Sequence, residues 1–120
     1  MKGVMLNVCG KKRLTENKIQ ASFIRNIQRS LPDAMVLKLD PNYKQGIPDL
    51  LILNGDRWAA LEVKRHKKAR HQPNQDYYVD KMNKMSYARF IYPENMEEVM
   101  NEIQQILTSD RTTRNSKSKR

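Results

Sequence analysis

An α/β domain whose helices cover a mixed sheet is the fold class this sequence predicts. Three observations predict it: three segments with helical apolar spacing, four short runs rich in β-formers, and their order, helix, three strands, helix, strand, helix. Thr15 precedes a helix in which Ile19, Phe23, Ile27 and Leu31 recur every three to four residues, and Pro32 with Asp33 stops it. Residues 34–40 form the first strand, ending at Pro41, and a polar loop follows with Tyr43 and Lys44. IPDLLIL and WAALEVKR are the next two strands. A basic loop leads into a helix over 74–85, whose apolar side is Tyr78, Val79, Met82 and Met85. YARFIY is the fourth strand, and Pro93 and Asn95 open a last helix striped with Met96, Val99, Met100, Ile103, Ile106 and Leu107.

The 120 residues suffice for one core, so a single folded unit is expected over 15–107. Residues 1–14, with the apolar GVMLNVC, are either an extra edge strand or an arm used in a dimer. Residues 108–120 hold five basic residues and one acidic, so of the net +10 this end carries +4 and the rest +6. With nothing to bury, that end reads as a disordered basic tail, either solubilising or touching DNA. No apolar run spans a membrane, and the start has too short an apolar centre for a secretory signal, so a soluble, cytoplasmic protein is expected. One Cys and two His cannot build the usual zinc cluster, so a metal would be held mainly by carboxylates. The basic balance favours polyanions, nucleic acid first and an anionic membrane surface second.

The segment GIPDLLILNGDRWAALEVKR carries Asp49, Glu62 and Lys64 within two apolar runs. With Gly55-Asp56 as a two-residue turn, Asn54 pairs with Arg57, Leu51 with Ala60 and Asp49 with Glu62. If Asn54-Gly55 is the turn, the two acids become diagonal neighbours on the same face. Directly opposed carboxylates about 4.5–5.5 Å apart at Cβ repel unless a cation lies between them. Alternation puts Trp58, Ala60, Glu62 and Lys64 on one face and Ala59, Leu61 and Val63 on the other. Oxygen ligands of this kind suit Mg²⁺ or Mn²⁺, with the Val63 carbonyl as a further ligand. At 100° per residue Glu16 continues the stripe of Ile19, Phe23 and Ile27 and points toward the sheet, where it is either a further metal-shell acid or, beside Thr15, ordinary helix-start chemistry.

Pro48-Asp49 followed by Glu62-Val63-Lys64 resembles the PD-(D/E)XK nuclease signature. More narrowly, GIPDLLIL, WAALEVKR and QPNQDYY together are similar to the virus-type replication-repair nuclease (VRR-NUC) domain, over about residues 16–92. Small stand-alone versions of that domain occur in phages and are similar to Holliday-junction resolvases. The resemblance implies a restriction-endonuclease-like core and a Mg²⁺-dependent endonuclease, with Mn²⁺ able to substitute. It implies that Asp49 and Glu62 bind the metal, that Lys64 positions or activates the attacking water, that Glu16 is the acid of the first helix, and that Gln75 is the glutamine opening the helix after the signature. Gln72 is a rival for that last role, but it precedes Pro73 and falls in the loop.

Arg65, Lys67, Lys68 and Arg70 follow Lys64 closely and would hold a duplex backbone without reading bases, which predicts structure-selective cleavage. Tyr43, Lys44 and Arg57 are candidates for further backbone contacts. His66 and His71 are read as phosphate or solvent contacts, and Trp58 and Tyr87 as packing aromatics. A four-way junction needs two coordinated cuts, so the resemblance implies a homodimer, its interface sought at 1–14 and at Met82 and Met85. The alternatives are a general nicking, flap or mismatch nuclease, or a nucleic-acid-binding module without catalysis.

Overall fold

The computed structural model describes residues 15–108. The expectations for 1–14 and 109–120 lie outside the described residues. Helix α1 (Glu16–Ser30) starts at Thr15, whose side chain accepts the Lys18 N–H at 3.2 Å, and its Ile19, Phe23 and Ile27 are buried. Strands β1 (Met35–Lys38), β2 (Leu50–Asn54) and β3 (Arg57–Val63) follow, then α2 (Gln75–Met85), β4 (Ala88–Ile91), a 3₁₀ turn (Pro93–Asn95) and α3 (Met96–Thr108). The expected element order is met, with α3 running one residue into the segment assigned to the tail.

The sheet order is β1-β2-β3-β4, antiparallel except for the parallel β3–β4 pair, which the α2 crossover permits. Between β2 and β3 the register is Asn54–Arg57, Leu53–Trp58, Leu51–Ala60 and Leu50–Leu61, so Gly55-Asp56 is the turn. Gly55 has φ +65°, as glycine at the first central position of a II′ hairpin turn requires.

The alternation read in β3 sorts its residues between two layers. Ala59, Leu61 and Val63 join Leu50 and Ile52 against the buried faces of α1 and α3. On the other face Ala60 and its β4 partner Ala88 are small enough for α2 to seat Val79 upon them. This second face is therefore apolar along most of β3 and becomes ionic only at Glu62 and Lys64. Met85, expected on the apolar side of α2, is 67% exposed, because the helix reaches the uncovered part of the sheet there.

The hairpin turn also closes α3. Asn54 Nδ2 donates to the Leu107 carbonyl at 2.9 Å and an Arg57 guanidinium N–H to the Ile106 carbonyl at 3.2 Å, satisfying acceptors that a helix end leaves open. Arg57 is thus a helix-end ligand and not the backbone contact expected for it; five residues of strand, about 17 Å, separate it from Glu62. Arg57→Ala and Asn54→Ala are each expected to lose about 1 kcal/mol in urea denaturation. Unchanged midpoints would show that water replaces these bonds without loss.

Candidate active site

Asp49 stands just past the last ladder pair, Leu50–Leu61. Its predecessor Pro48 has no N–H and cannot extend the strand as a donor. Two bonds hold Asp49 there: its carbonyl accepts the Leu39 N–H at 2.8 Å, and its Oδ2 accepts the Val63 N–H at 2.9 Å. The carboxylate thus continues the hairpin where the backbone ladder stops, next to Glu62. Of the three charges read inside strands, only Glu62 lies within one; Lys64 follows β3, its N–H still bonded to the Ile91 carbonyl at 2.8 Å.

Glu62 and Lys64 are the buried charged residues, 3% and 4% exposed. Glu62 Oε2 accepts the Gln75 side-chain amide at 2.9 Å and lies 3.9 Å from the Lys64 ammonium. Its other oxygen, Oε1, is buried and accepts from no N–H or hydroxyl, while the protonated Glu62 carboxyl can donate to Asp49. Lys64 Nζ donates to the Arg70 carbonyl at 3.0 Å, which ties the basic loop back over the site. Burial, and then the neighbouring Asp49 charge, push the Glu62 carboxyl up to about 8, against the pull of Lys64. Burial likewise raises Asp49, the Val63 N–H partly offsetting it.

Glu16 is exposed on the first turn of α1, and its charge raises both acids, so it lies within electrostatic reach. It is not gathered with them in this geometry: among the described residues no group of three or more His, Cys, Asp or Glu side chains is placed to hold a metal ion. The donor set is two carboxylates, with the Val63 backbone adjoining them. That set fits Mg²⁺, which is commonly held by one or two carboxylates plus waters. The pairing of the two acids fits it too, since adjoining buried carboxylates repel unless a proton or a cation lies between them.

Gln75 reaches Glu62 because of how α2 begins. Its Oε1 accepts the Gln72 N–H at 2.8 Å, leaving the amide to face Glu62, so Gln72 contributes backbone alone. Asn74, in the left-handed region at φ +73°, turns the chain into the helix. Gly46, at φ +94°, lies so close that a Cβ there would sit 2.5 Å from Asn74 Cβ and 2.9 Å from the Pro73 carbonyl. Glycine at position 46 thus lets the loop before Asp49 pack on the loop before Gln75, a contact that spacing alone did not reveal.

Arg65, Lys67, Lys68 and Arg70 are exposed along the loop after Lys64, as are Tyr43 and Lys44 in the loop before Asp49. The His66 ring accepts the Lys68 N–H at 3.2 Å. His71 departs from its expected role: it stacks on Phe90, centroids 4.0 Å apart, and its Nδ1 lies 2.7 Å from Asp76 Oδ1, pinning the loop to β4 and α2. Tyr87 packs as expected, 2% exposed, with its hydroxyl on Glu102 and the Arg89 guanidinium 4.5 Å from its ring centre.

No family model matches the sequence, and no curated protein matches it. Two solved structures are similar in fold. One, titled "VRR_NUC domain protein", has a TM-score of 0.60 at 23% identity over 79% of this chain and 89% of its own. Another, titled "VRR_NUC domain", has a TM-score of 0.58 at 20% identity over 73% of this chain and 97% of its own. The chain therefore has the fold of VRR-NUC domains, a mixed four-stranded sheet between helices.

The carboxyl shifts fix a direction for stability. Folded Glu62 keeps its proton to about pH 8, whereas its ordinary value is 4.5, so between those pH values the folded state binds the extra proton and loses stability as pH rises. Asp49 contributes in the same direction. In EDTA the melting temperature is expected to fall from pH 5 to pH 8. Glu62→Gln should flatten that fall and raise the pH 8 value by at least about 4 °C, the shift that about 1 kcal/mol produces in a domain of this size. A melting temperature that climbs over the same range would contradict the assignment.

Proposed function

We propose that the protein is a metal-dependent, structure-selective DNA endonuclease of the VRR-NUC kind, hydrolysing phosphodiester bonds in four-way junctions or other branched duplexes. The observation that carries this reading is the buried Glu62 carboxyl set beside Asp49 and Lys64, with burial and the Asp49 charge both opposing its ionisation. Asp49 and Glu62, with the Val63 carbonyl, would hold Mg²⁺ or Mn²⁺. The bound ion supplies positive charge for a phosphoryl oxygen and lowers the pKa of its water. Gln75 fixes the Glu62 carboxylate through its amide, and Glu16 deepens the negative field that draws the cation in. Lys64, steadied by the Arg70 carbonyl, presents its remaining donors to the attacking water and to the charge that develops on the phosphate.

The exposed cations Arg65, Lys67, Lys68 and Arg70 start where Lys64 ends, so a backbone gripped by them passes the two acids. Contacts of this sort carry no base code, and selection therefore falls to the shape of the DNA. Cutting a symmetric junction twice calls for two copies of the site. Met35 (58% exposed), Leu37 (37%) and Met85 (67%) border Leu51, Leu53, Trp58 and Met82 on the open sheet face, which is where a second copy would pack.

With Mg²⁺, Asp49→Asn and Glu62→Gln should each lower cleavage at least about 100-fold while leaving DNA affinity nearly unchanged. Lys64→Ala should cut the rate more than it weakens metal binding by calorimetry. Assayed on linear, nicked, flap, splayed and four-way substrates, the protein is expected to place paired, symmetric cuts in the four-way junction. A preference for nicked or flap DNA would move the reading to another nuclease class. Binding without EDTA-sensitive cuts on any substrate would leave a non-catalytic module.

A further inference from the structure

We infer that Tyr43 is a stacking platform for an unpaired nucleobase, placed to set a branch point of the DNA beside Asp49; this rests on the nuclease reading above. Phe23 and Tyr87 are buried at 0% and 2% exposure, whereas Tyr43 is 79% exposed, more than Tyr77 at 58%. It does not hang on a loose loop. The Asn42 N–H bonds Asp40 Oδ1 at 2.8 Å, the Tyr43 N–H bonds the Asp40 carbonyl at 3.0 Å, and the Ile47 N–H bonds the Lys44 carbonyl at 3.3 Å. Gly46 anchors the far side of this loop against Pro73 and Asn74, and the bond from the Leu39 N–H to the Asp49 carbonyl closes its base.

A rigid loop that ends at the acidic pair and holds an aromatic face in solvent is pre-organised for a flat ligand. The Lys44 ammonium lies 5.9 Å from the centre of that ring, so base face and phosphate of one nucleotide can be met together. Duplex DNA offers no free base face, whereas a branch or unpaired end does. Tyr43 is six residues from Asp49, at most about 20 Å even if extended. The stacked base therefore lies within about six steps of the phosphate being cut, at 3.4 Å per step.

Tyr77 provides an internal comparison. It is 58% exposed with Lys81 6.0 Å from its ring centre, but it follows Gln75 by two positions on α2, about 200° around the helix, and so faces away from Glu62.

The test uses the full chain in EDTA, so that cleavage does not intervene. Splayed and four-way DNA carry 2-aminopurine at successive positions up to six nucleotides from the branch, and linear duplex is the reference. Wild type, Tyr43→Phe and Tyr77→Leu should quench the probe equally. Tyr43→Leu should lose the quench and bind branched DNA about 10-fold more weakly, as a lost base–aromatic stack does, with duplex affinity unchanged. Equal losses on duplex and branched DNA, or a Tyr43→Phe variant as weak as Tyr43→Leu, would mean a backbone or hydroxyl contact and overturn the inference; so would an undiminished quench in Tyr43→Leu. Because the readout is binding, its failure is distinct from failure of the nuclease reading, which shows as absence of cuts with Mg²⁺.

Discussion

The hydrogen bond from the Val63 N–H to Asp49 Oδ2 governs where this molecule puts its charge. At 2.9 Å it takes over from a backbone ladder that has stopped at Leu50–Leu61, and it holds a carboxylate against β3 that would otherwise turn to water. The Asp49 carbonyl meanwhile belongs to the first strand's end through Leu39. Three chain segments therefore meet at one residue. Given that anchor, Glu62 on the adjacent position of β3 has a second acid beside it whatever the surrounding loops do.

Ionising Glu62 there is costly, because its charge is removed from water and faces a like charge. The sheet tolerates this because the same hairpin is held from both sides by apolar layers. Leu50, Ile52, Leu61 and Val63 lock one face under α1 and α3, and Ala60 and Ala88 lock the other under α2. Local support is one amide hydrogen bond, a distant ammonium and, while Glu62 keeps its proton, a hydrogen bond to Asp49. Charge repulsion concentrated at one point in a well-packed sheet is the pattern expected where function, not stability, sets the residue.

Much of the architecture was legible because it is local. The stripe of Ile19, Phe23 and Ile27 follows from spacing within one element, and the hairpin was narrowed to two turns, of which the structure has Gly55-Asp56, the one that brings Asp49 to Glu62. Gln75 was reached through the resemblance, and the structure places its amide on Glu62. The misreadings involve partners distant in the chain. Arg57 was a candidate for a DNA-backbone contact because nothing near it in sequence shows the end of α3 at Ile106. His71 was read as a phosphate or solvent contact because Phe90 belongs to another strand, and the reach from Gly46 to Asn74 is a packing fact with no periodic signal. Helical phase turned Glu16 toward the sheet, and in the structure it is exposed at the first turn with its charge felt by both acids.

Calorimetric titration of Mg²⁺ into the metal-free protein at pH 7, repeated in buffers of different ionisation enthalpy, tests the central claim most directly. Burial and the Asp49 charge push the Glu62 carboxyl up and favour its protonated form, so an ion binding to the carboxylate displaces protons. The account predicts one Mg²⁺ site that releases protons on binding in wild type and disappears in Glu62→Gln. Binding that releases no proton, or that persists undiminished in Glu62→Gln, would contradict it.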